Sequence, residues 1–512
     1  MSRDLLLHGG AVRTLDPAAP LVPELAIRDG RVAARPAPGA ERVDLRGCCV
    51  IPGLADAHVH FPTWSLAQGQ VRLEGARSLE EALARVEDAV GKAKLGGWLR
   101  GVGWRDGEWT DSPTRAALDR VAPDTPVALF ARDGHSLWLS SAGLARAEGP
   151  LERRGGVVER DERGELTGVL REEAAWAFRE LYVRPSVEEM VEASRAGLRI
   201  AAARGVTAIH DKDGWLGAFE VFLRLHERDE LTLRVWQSFP WDRLDELRTL
   251  GIRSGFGDDM LRVGYLKGFM DGTLGSATAH LLDGSGVEIT TREQLEEVVR
   301  RAADAHFPVA VHAIGDAANR AALDAFAATR DVWQPAGLRH RIEHAQLLAP
   351  EDVPRFTEVG VAASVQFSHA PSDRDLADRL WEGRPGAYAY RSLLDAGALL
   401  ANGSDAPVEE LDPLAGIVAG VLRTLDERPP WRPEQAVTVE EALRATTVGP
   451  AWLEGQESRR GTLSPGMLAD LLMLDRDPLA CPVEELPEVK VLATMVGGRW
   501  THASPDSPVE TP

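Results

Sequence analysis

Residues 51–61, Ile-Pro-Gly-Leu-Ala-Asp-Ala-His-Val-His-Phe, decide how the rest of this 512-residue chain is interpreted. An apolar run that Pro52 and Gly53 interrupt, and that then resumes with alternation, predicts a strand. Because successive side chains of a strand point to opposite faces, His58 and His60 lie on one face, close enough to bind a single metal ion. Two ordinary strand histidines are the alternative, and residues far along the chain decide between the two interpretations.

Seven more strand-like runs follow, and helical stretches separate them. The seven strands are predicted at residues 205–210, 233–239, 262–269, 308–314, 339–345, 360–367 and 398–403. The run that ends at His60 is the first of the eight. Stretches such as 291–306 and 319–329 carry apolar residues at the three- and four-residue spacing of a helix. Eight strands that alternate with helices predict an α/β fold, a (β/α)8 TIM-type barrel, whose chemistry lies at the carboxyl ends of the strands.

Both ends of the chain carry short apolar runs with turn signals such as Asp29-Gly30. We expect residues 1–50 and 452–502 to combine into one small β-sandwich domain beside a barrel of residues 51–451. The segment 62–190 is too long for one barrel helix, so it is predicted to be an inserted subdomain after strand one. The polar residues 503–512 are expected to be a disordered tail.

The net charge of −21 and the pI near 5.2 argue against nucleic acid or an anionic membrane surface as a partner. No apolar run approaches the roughly 18 residues of a membrane span, and no leader pattern is visible. Three cysteines are too few for a disulfide framework, which fits a reducing compartment. We therefore expect a cytoplasmic protein, a small-molecule substrate as its partner, and a homodimer as its assembly.

Metal-ligating side chains follow five of the predicted strands. They are His58 and His60 on strand one, Lys267 on strand four, His312 on strand five, His344 on strand six and Asp405 after strand eight. Taken singly, a histidine in an apolar strand is more often a core residue, and Asp405 could cap a helix. Together at one end of successive strands, imidazoles and a carboxylate predict a divalent metal site, with zinc as the expected ion and one or two ions per chain.

Four motifs resemble those of the amidohydrolase superfamily, and more narrowly its third family, which includes deformylases of N-substituted formamides. The motifs are PGLADAHVH at 52–60, HAIGD at 312–316, RIEHAQ at 341–346 and GSDAPV at 403–408. The resemblance extends to GTLSPGMLAD at 461–470. It implies a metal-dependent hydrolase that cleaves a carbon–nitrogen bond of amide, N-formyl or N-acyl type, other than a peptide bond, by attack of metal-bound hydroxide.

The resemblance also assigns roles to two residues at strand ends. Lys267 matches a lysine that in many superfamily members is carboxylated on its amine and bridges two metals; an unmodified lysine paired with Asp271 is the alternative. Only five residues of the chain are lysines, which singles Lys267 out, although Lys212 beyond strand two is a weaker competitor. Asp405 is expected to act as general base and then general acid besides binding metal.

His135, in the inserted segment, is expected to donate a hydrogen bond to the substrate carbonyl or to the tetrahedral intermediate. Trp104, Trp138 and Phe367 are candidate walls of the substrate pocket, with a simple core role as the alternative. The chain departs from the family pattern at Ser140-Ser141 and at Gln366-Phe367. Because neither departure touches a predicted metal ligand, they bear on the substrate rather than on the reaction.

Two other functions compete with the hydrolase. A deaminase uses the same barrel and metal but usually has a Glu a few residues after the strand-five His, where this chain has Asp316. A catalytically silent scaffold is expected to lose ligands, and none of the predicted ligands is missing. The sequence therefore favours the hydrolase.

Overall fold

A computed structural model describes residues 4–90, 97–104, 109–131, 136–275 and 277–510. The chain divides into two compact units, one formed by Met1–Trp64 with Ser194–Pro512 and the other by Ser65–Ala193. No helix within the described ranges has the length and apolar character needed to cross a membrane.

The first unit contains a barrel of eight parallel strands, in which each strand pairs with the next one along the chain. The strands are β1 (Leu54–Val59), β2 (Val206–Asp211), β3 (Arg234–Pro240), β4 (Leu261–Phe269), β5 (Val309–Ala313), β6 (Arg341–His344), β7 (Ala362–Val365) and β8 (Leu400–Asn402). Because helices cover the outside and side chains fill the inside, strands such as β1, β2 and β5 are buried along their whole length. The predicted TIM-type barrel is confirmed.

The segment that follows β8 connects it to β1. The Asp405 backbone N–H donates to the His58 carbonyl at 2.6 Å, and the His60 N–H donates to the Ala406 carbonyl at 2.9 Å. The Ser404 N–H reaches the buried carboxylate of Asp56 at 3.0 Å. These bonds place Asp405 beside both histidines of the first strand.

Helices connect the strands and cover the barrel and the inserted unit. They span Phe61–Gln68, Leu79–Val90, Arg115–Val121, Ser141–Leu144, Glu173–Phe178, Val187–Ala203, Ala218–Glu227, Leu244–Thr249, Arg292–Asp304, Asp316–Ala328, Arg330–Trp333, Arg355–Val359, His369–Ser372, Arg374–Leu380, Tyr390–Asp395, Pro413–Leu422, Val439–Ala445 and Val448–Leu453. The helix Arg292–Asp304 begins at a capping box, in which Thr291 and Gln294 bond each other's backbone N–H groups.

A second eight-stranded sheet combines the two ends of the chain. Its strands are Leu5–Arg13, Leu21–Arg28, Arg31–Ala33, Glu41–Asp44, Cys49–Pro52, Leu471–Leu474, Val491–Val496 and Arg499–Ala503. Cys49–Pro52 pairs with Leu471–Leu474, which is where the N-terminal and C-terminal segments meet. Val509 is buried in the apolar core of this domain. The exact domain boundaries at residues 50 and 452 stay a prediction.

The unit Ser65–Ala193 has its own sheet and its own core. Six strands form the sheet: Gly156–Arg160, Leu166–Glu172, Ser136–Leu139, Val127–Ala131, Leu99–Trp104 and Val71–Arg72. Trp104, Trp109 and Trp138 pack together in its core, with ring centroids 6.1 to 6.4 Å apart.

Candidate metal centre

Four imidazoles and one carboxylate meet at the carboxyl end of the barrel. Asp405 Oδ1 lies 3.2 Å from His58 Nε2 and 3.6 Å from His60 Nε2. The ring centroid of His344 lies 4.7 Å from that of His58 and 4.6 Å from that of His312. The structure thus brings together the histidines and the aspartate that the sequence singled out.

The backbone is strained at two of these residues. His344 has a φ of 74° and Asp405 a φ of 59°, both in the left-handed region that non-glycine residues rarely adopt. Such conformations cost about 1 to 3 kcal/mol each and persist where the surrounding structure enforces them, commonly at functional sites. In this backbone conformation both side chains point toward the candidate metal site at the carboxyl end of the barrel.

One ring nitrogen of each histidine is held by a hydrogen-bonding partner. The pairs are His58 Nδ1 with Glu343 Oε2 at 2.9 Å, His60 Nδ1 with Asp213 Oδ1 at 2.7 Å, His344 Nδ1 with Gln366 Oε1 at 2.8 Å, and His312 Nε2 with the Gly272 carbonyl at 2.9 Å. An acceptor on one nitrogen keeps the proton there and leaves the lone pair of the other nitrogen for a metal.

This donor set fits a divalent cation. The ligand atoms of His58, His60 and Asp405 all lie within 4.8 Å of one another. Neutral imidazole nitrogens and a carboxylate oxygen are ligands that zinc accepts, and the partners on Nδ1 match the outer contacts common at such sites. We identify these three residues as the best-formed candidate ligand set.

The pKa shifts at the site differ in direction from one residue to the next. Burial alone would raise the pKa of Asp405, but His58 and His344 outweigh it and hold that pKa well below the usual value. Burial lowers the pKa of His58, and burial together with the neighbouring His312 lowers that of His344. Burial would lower the pKa of His60, but Asp213 and Asp405 outweigh it and raise that pKa. The shifts therefore favour the ligating form of Asp405, His58 and His344, whereas they favour protonation of His60.

Glu343 lies at the centre of a buried charge network under the site. Its carboxylate contacts His58, Lys212 and, at 2.9 Å, Arg341 Nε. Burial would raise the pKa of Glu343, but Arg341 and Lys212 outweigh it and hold that pKa well below its ordinary value. Glu343 therefore remains an anion that can anchor the His58 ring.

The two lysines near the site have different surroundings. Lys212 Nζ is bound to Glu343 and lies 4.6 Å from the Tyr265 ring centroid. Lys267 Nζ donates to the Gly268 carbonyl at 3.3 Å, and no carboxylate among the described residues lies within ion-pair distance of it. Burial lowers the pKa of Lys267 to about 8. Asp271, the partner considered for an unmodified lysine, instead accepts three backbone N–H groups, one of them from His280.

The remaining predicted site residues are His135 and three aromatic residues. His135 falls outside the described residues. Trp104 and Trp138 are buried in the core of the inserted unit and donate their indole N–H groups to backbone carbonyls. Gln366 bonds the predicted ligand His344 at 2.8 Å, so the expectation that this departure from the family pattern touches no metal ligand is wrong. Phe367 is buried against the Tyr390 ring, 5.1 Å between centroids. These positions favour a core role for the three aromatic residues, and substrate contact by them stays a proposal.

Sequence reasoning did not single out Asp213, Glu343 or His369 as site residues. Asp213 follows β2 by two positions, and His369 follows β7 by four. Asp213 and His369 thus lie just beyond a strand's carboxyl end, a position that marks candidates but does not show which side chain holds an imidazole. His369 Nε2 lies 3.8 Å from Asp405 Oδ2, and these two residues with His344 form a second group of close ligand atoms.

Known proteins resemble this chain in sequence and in structure. The chain is 33% identical to the protein LONG AFTER FAR-RED 3 of Arabidopsis thaliana, over 98% of this chain and 91% of that protein. It is 29% identical to N-substituted formamide deformylase of Arthrobacter pascens, over 97% and 98% of the respective chains. The crystal structure of an uncharacterized metal-dependent hydrolase from Pyrococcus horikoshii matches with a TM-score of 0.79 at 28% identity, covering 94% of this chain and 99% of that one. Residues 41–502 match the sequence pattern of the Amidohydrolase family, and the chain belongs to that family.

Proposed function

We propose that this protein is a metal-dependent hydrolase that cleaves a carbon–nitrogen bond of an amide, N-formyl or N-acyl compound other than a peptide. The observation that carries the proposal is the close set of His58 Nε2, His60 Nε2 and Asp405 Oδ1. The other ring nitrogen of each imidazole, Nδ1, is hydrogen-bonded to a carboxylate. The relative named as a formamide deformylase supports the bond type. A small molecule is the proposed substrate, and a homodimer stays a prediction.

A bound divalent ion, which we propose to be zinc, would polarise the substrate carbonyl and lower the pKa of a coordinated water to near 7. We assign the proton transfer to Asp405. Its Oδ1 faces His58 and His60, whereas its Oδ2 lies 4.0 Å from the nearest nitrogen of His344, beyond hydrogen-bond distance. Oδ2 can therefore accept a proton from the nucleophilic water and release it to the departing nitrogen.

Lys267 is the proposed site of carboxylation. A buried amine with a lowered pKa is partly neutral near pH 8 and can react with carbon dioxide, and the resulting carbamate would supply an anionic ligand. Lys212 is a poorer candidate because Glu343 already occupies its amine. With carboxylated Lys267, His312 and His344 would hold a second ion.

The deaminase alternative finds less support. Its proton carrier would be expected a few residues after His312, where Asp316 stands. One oxygen of Asp316 accepts the Leu282 backbone N–H at 2.8 Å and the other pairs with Arg384 at 3.2 Å. A carboxylate held in this way is not free to carry protons.

The test is hydrolysis by the zinc-loaded protein of 4-nitroformanilide, 4-nitroacetanilide, N-acyl amino acids, carbamates and lactams, with adenine and cytosine as deaminase probes. Asp405→Asn is expected to retain metal at near-normal stoichiometry yet lose at least about 100-fold in turnover, because an amide cannot accept the proton. Asp324→Asn, which alters a carboxylate on an outer helix, is the control. Release of ammonia from the nucleobases without amide cleavage would contradict the proposal. Rescue of Asp405→Asn turnover by excess zinc would show that Asp405 serves as a metal ligand and not as the proton carrier.

A further inference from the structure

His369 presents a buried nitrogen to the site without a partner. The residue opens the short helix that follows β7, and only 4% of its surface is exposed. Its Nε2 makes no hydrogen bond with any described residue, and the carboxylate oxygen Asp405 Oδ2 lies 3.8 Å away. Native proteins rarely leave a buried polar group unpaired, so we expect a bound molecule to provide the hydrogen-bonding partner of this nitrogen.

Gln346 decides which nitrogen of His369 carries the proton. The Gln346 side-chain Nε2 lies 3.1 Å from His369 Nδ1, and in this orientation of the amide, which leaves Gln346 Oε1 buried without a hydrogen bond, it donates to the ring. Nδ1 must therefore accept, and in the neutral ring the proton resides on Nε2. Gln346 is itself buried two residues beyond His344, so the chain segment that carries a ligand also fixes this tautomer.

This tautomer is unsuited to binding a metal. An Nε2 that carries a proton has no free lone pair. The His344 nitrogen nearest to Asp405, Nδ1, is likewise committed, to Gln366 at 2.8 Å. The second group of close ligand atoms therefore does not form an ion site in this arrangement, and His369 offers a hydrogen-bond donor instead.

A second histidine provides a structural comparison. His340 Nδ1 accepts the Val309 backbone N–H at 2.8 Å, and its Nε2 also lacks a hydrogen bond. Its ring, however, stacks on Phe326 at 4.9 Å and meets Trp333 edge-on at 4.8 Å, which accounts for its burial by aromatic packing. The ring nearest to that of His369 is His344, 6.2 Å away at the site.

We propose that His369 is a catalytic residue whose Nε2–H donates a hydrogen bond to the substrate carbonyl oxygen and stabilises the negative charge that develops there. The inference rests on the proposed amide hydrolysis, because the attacked carbonyl then supplies an oxygen that gains negative charge beside Asp405. A preorganised donor of this kind acts mainly in the transition state. Gln346 is the corresponding positioning residue, since it keeps the proton on the nitrogen that faces the site.

The kinetic test compares 4-nitroacetanilide with its thioamide, since sulfur is a much weaker acceptor than oxygen. His369→Leu should lower kcat for the amide by about 100- to 1,000-fold, as expected for loss of one oxyanion donor, and lower kcat for the thioamide much less. His369→Gln, which keeps an N–H donor, should recover part of the loss. His340→Gln removes an equally buried imidazole and controls for damage to the fold, and zinc content is measured in every variant.

Two kinetic outcomes would overturn the inference. If His369→Leu loses its zinc, His369 is a ligand. If it keeps its zinc but loses amide and thioamide turnover equally, no contact with the oxygen exists.

A second measurement needs no turnover. In zinc-loaded protein labelled with ¹⁵N-histidine, the signal that His369→Gln removes should show the proton on Nε2, and Gln346→Leu should shift the population toward Nδ1–H. Acetate, as an oxyanion probe, should move the Nε2–H proton resonance of the wild type. A wild-type signal with the proton on Nδ1, or no response to saturating acetate, would refute the role of His369. A wild type that cleaves no amide but shows both NMR effects would refute the proposed function and leave the donor assignment standing.

Discussion

Asp213 is expected to control metal affinity through the orientation of His60. The Asp213 carboxylate lies 2.7 Å from His60 Nδ1 and also accepts the Thr63 backbone N–H at 3.0 Å. The His60 side chain is 32% exposed, whereas that of His58 is 2% exposed and packed on all sides. His60 therefore depends on its carboxylate partner to hold the ring, so substitution of Asp213 should weaken metal binding more than the fold.

The magnitude follows from the kind of hydrogen bond that is lost. A hydrogen bond to a charged group contributes about 1.5 to 3 kcal/mol, and one between neutral groups about 0.5 to 1.5 kcal/mol. Asp213→Asn keeps an acceptor and loses the charge, a change of about 1 kcal/mol or about 5-fold in Kd. Asp213→Ala loses the whole bond, which corresponds to about 10- to 150-fold and agrees with the roughly 10- to 100-fold effect typical of such partners.

The assay is competition for zinc between the apoprotein and a fluorescent chelator, with Asp324→Asn and Asp324→Ala as matched controls on an outer helix. The Kd for zinc is expected to increase from wild type to Asp213→Asn and again to Asp213→Ala, and the circular dichroism spectra of all variants should be alike. Equal zinc affinity of wild type and Asp213→Ala would show that the ring is held by something else. An equally large loss in the Asp324 variants would show a general effect of destabilisation.

Three further predictions concern ligands and stability. His58→Ala and His60→Ala should each lose most metal and activity while the barrel stays folded, and normal turnover in either variant would contradict the ligand assignment. The wild type should hold close to two metals per chain, and Lys267→Ala should regain activity with added short carboxylic acids; one metal per chain with an unmodified amine by mass spectrometry would rule out the carbamate. Burial opposes ionisation of Asp470, but the bidentate pair with Arg234, at 2.7 and 2.8 Å, outweighs it and lowers the pKa of Asp470. The stabilising contribution of this ion pair is therefore complete above the unfolded-state pKa near 3.8 and is lost as pH falls below that value. Asp470→Asn should cost about 3 to 5 kcal/mol in unfolding free energy at pH 7 and about 1 kcal/mol less at pH 3, and a pH-independent difference would refute this account.

The sequence predicted the barrel because its periodicity is local. The run at 308–314 became Val309–Ala313, and the helical stretch 291–306 became Arg292–Asp304. The last two strands are shorter than predicted, with β7 covering Ala362–Val365 and β8 covering Leu400–Asn402. Val361, Phe367 and Ala398 beyond their ends are buried, and their backbone N–H groups bond outside the ladder. Composition alone cannot separate a buried strand residue from a buried residue in the adjoining turn.

The outer contacts of the site could not be predicted in the same way. Asp213 and Glu343 are two of 79 acidic residues, and neither spacing nor composition distinguishes a carboxylate that holds an imidazole from one in water. Their partners lie 153 and 285 positions away along the chain. Likewise, only the position of Glu343 shows that Lys212 is engaged and Lys267 is not. These relations depend on barrel closure, which a single sequence does not encode as a local pattern.

The orienting contacts couple metal affinity to the integrity of the barrel. His58 on β1 is held by Glu343 on β6, His60 by a residue that follows β2, and His344 on β6 by Gln366 beyond β7. None of these three imidazoles is oriented by its own strand, so local opening of β2, β6 or β7 releases at least one of them. Binding must therefore stabilise the closed barrel, by about 4 kcal/mol when free metal exceeds Kd 1,000-fold. The same coupling explains why strained residues can persist at the ends of β6 and β8, since the closed structure enforces them.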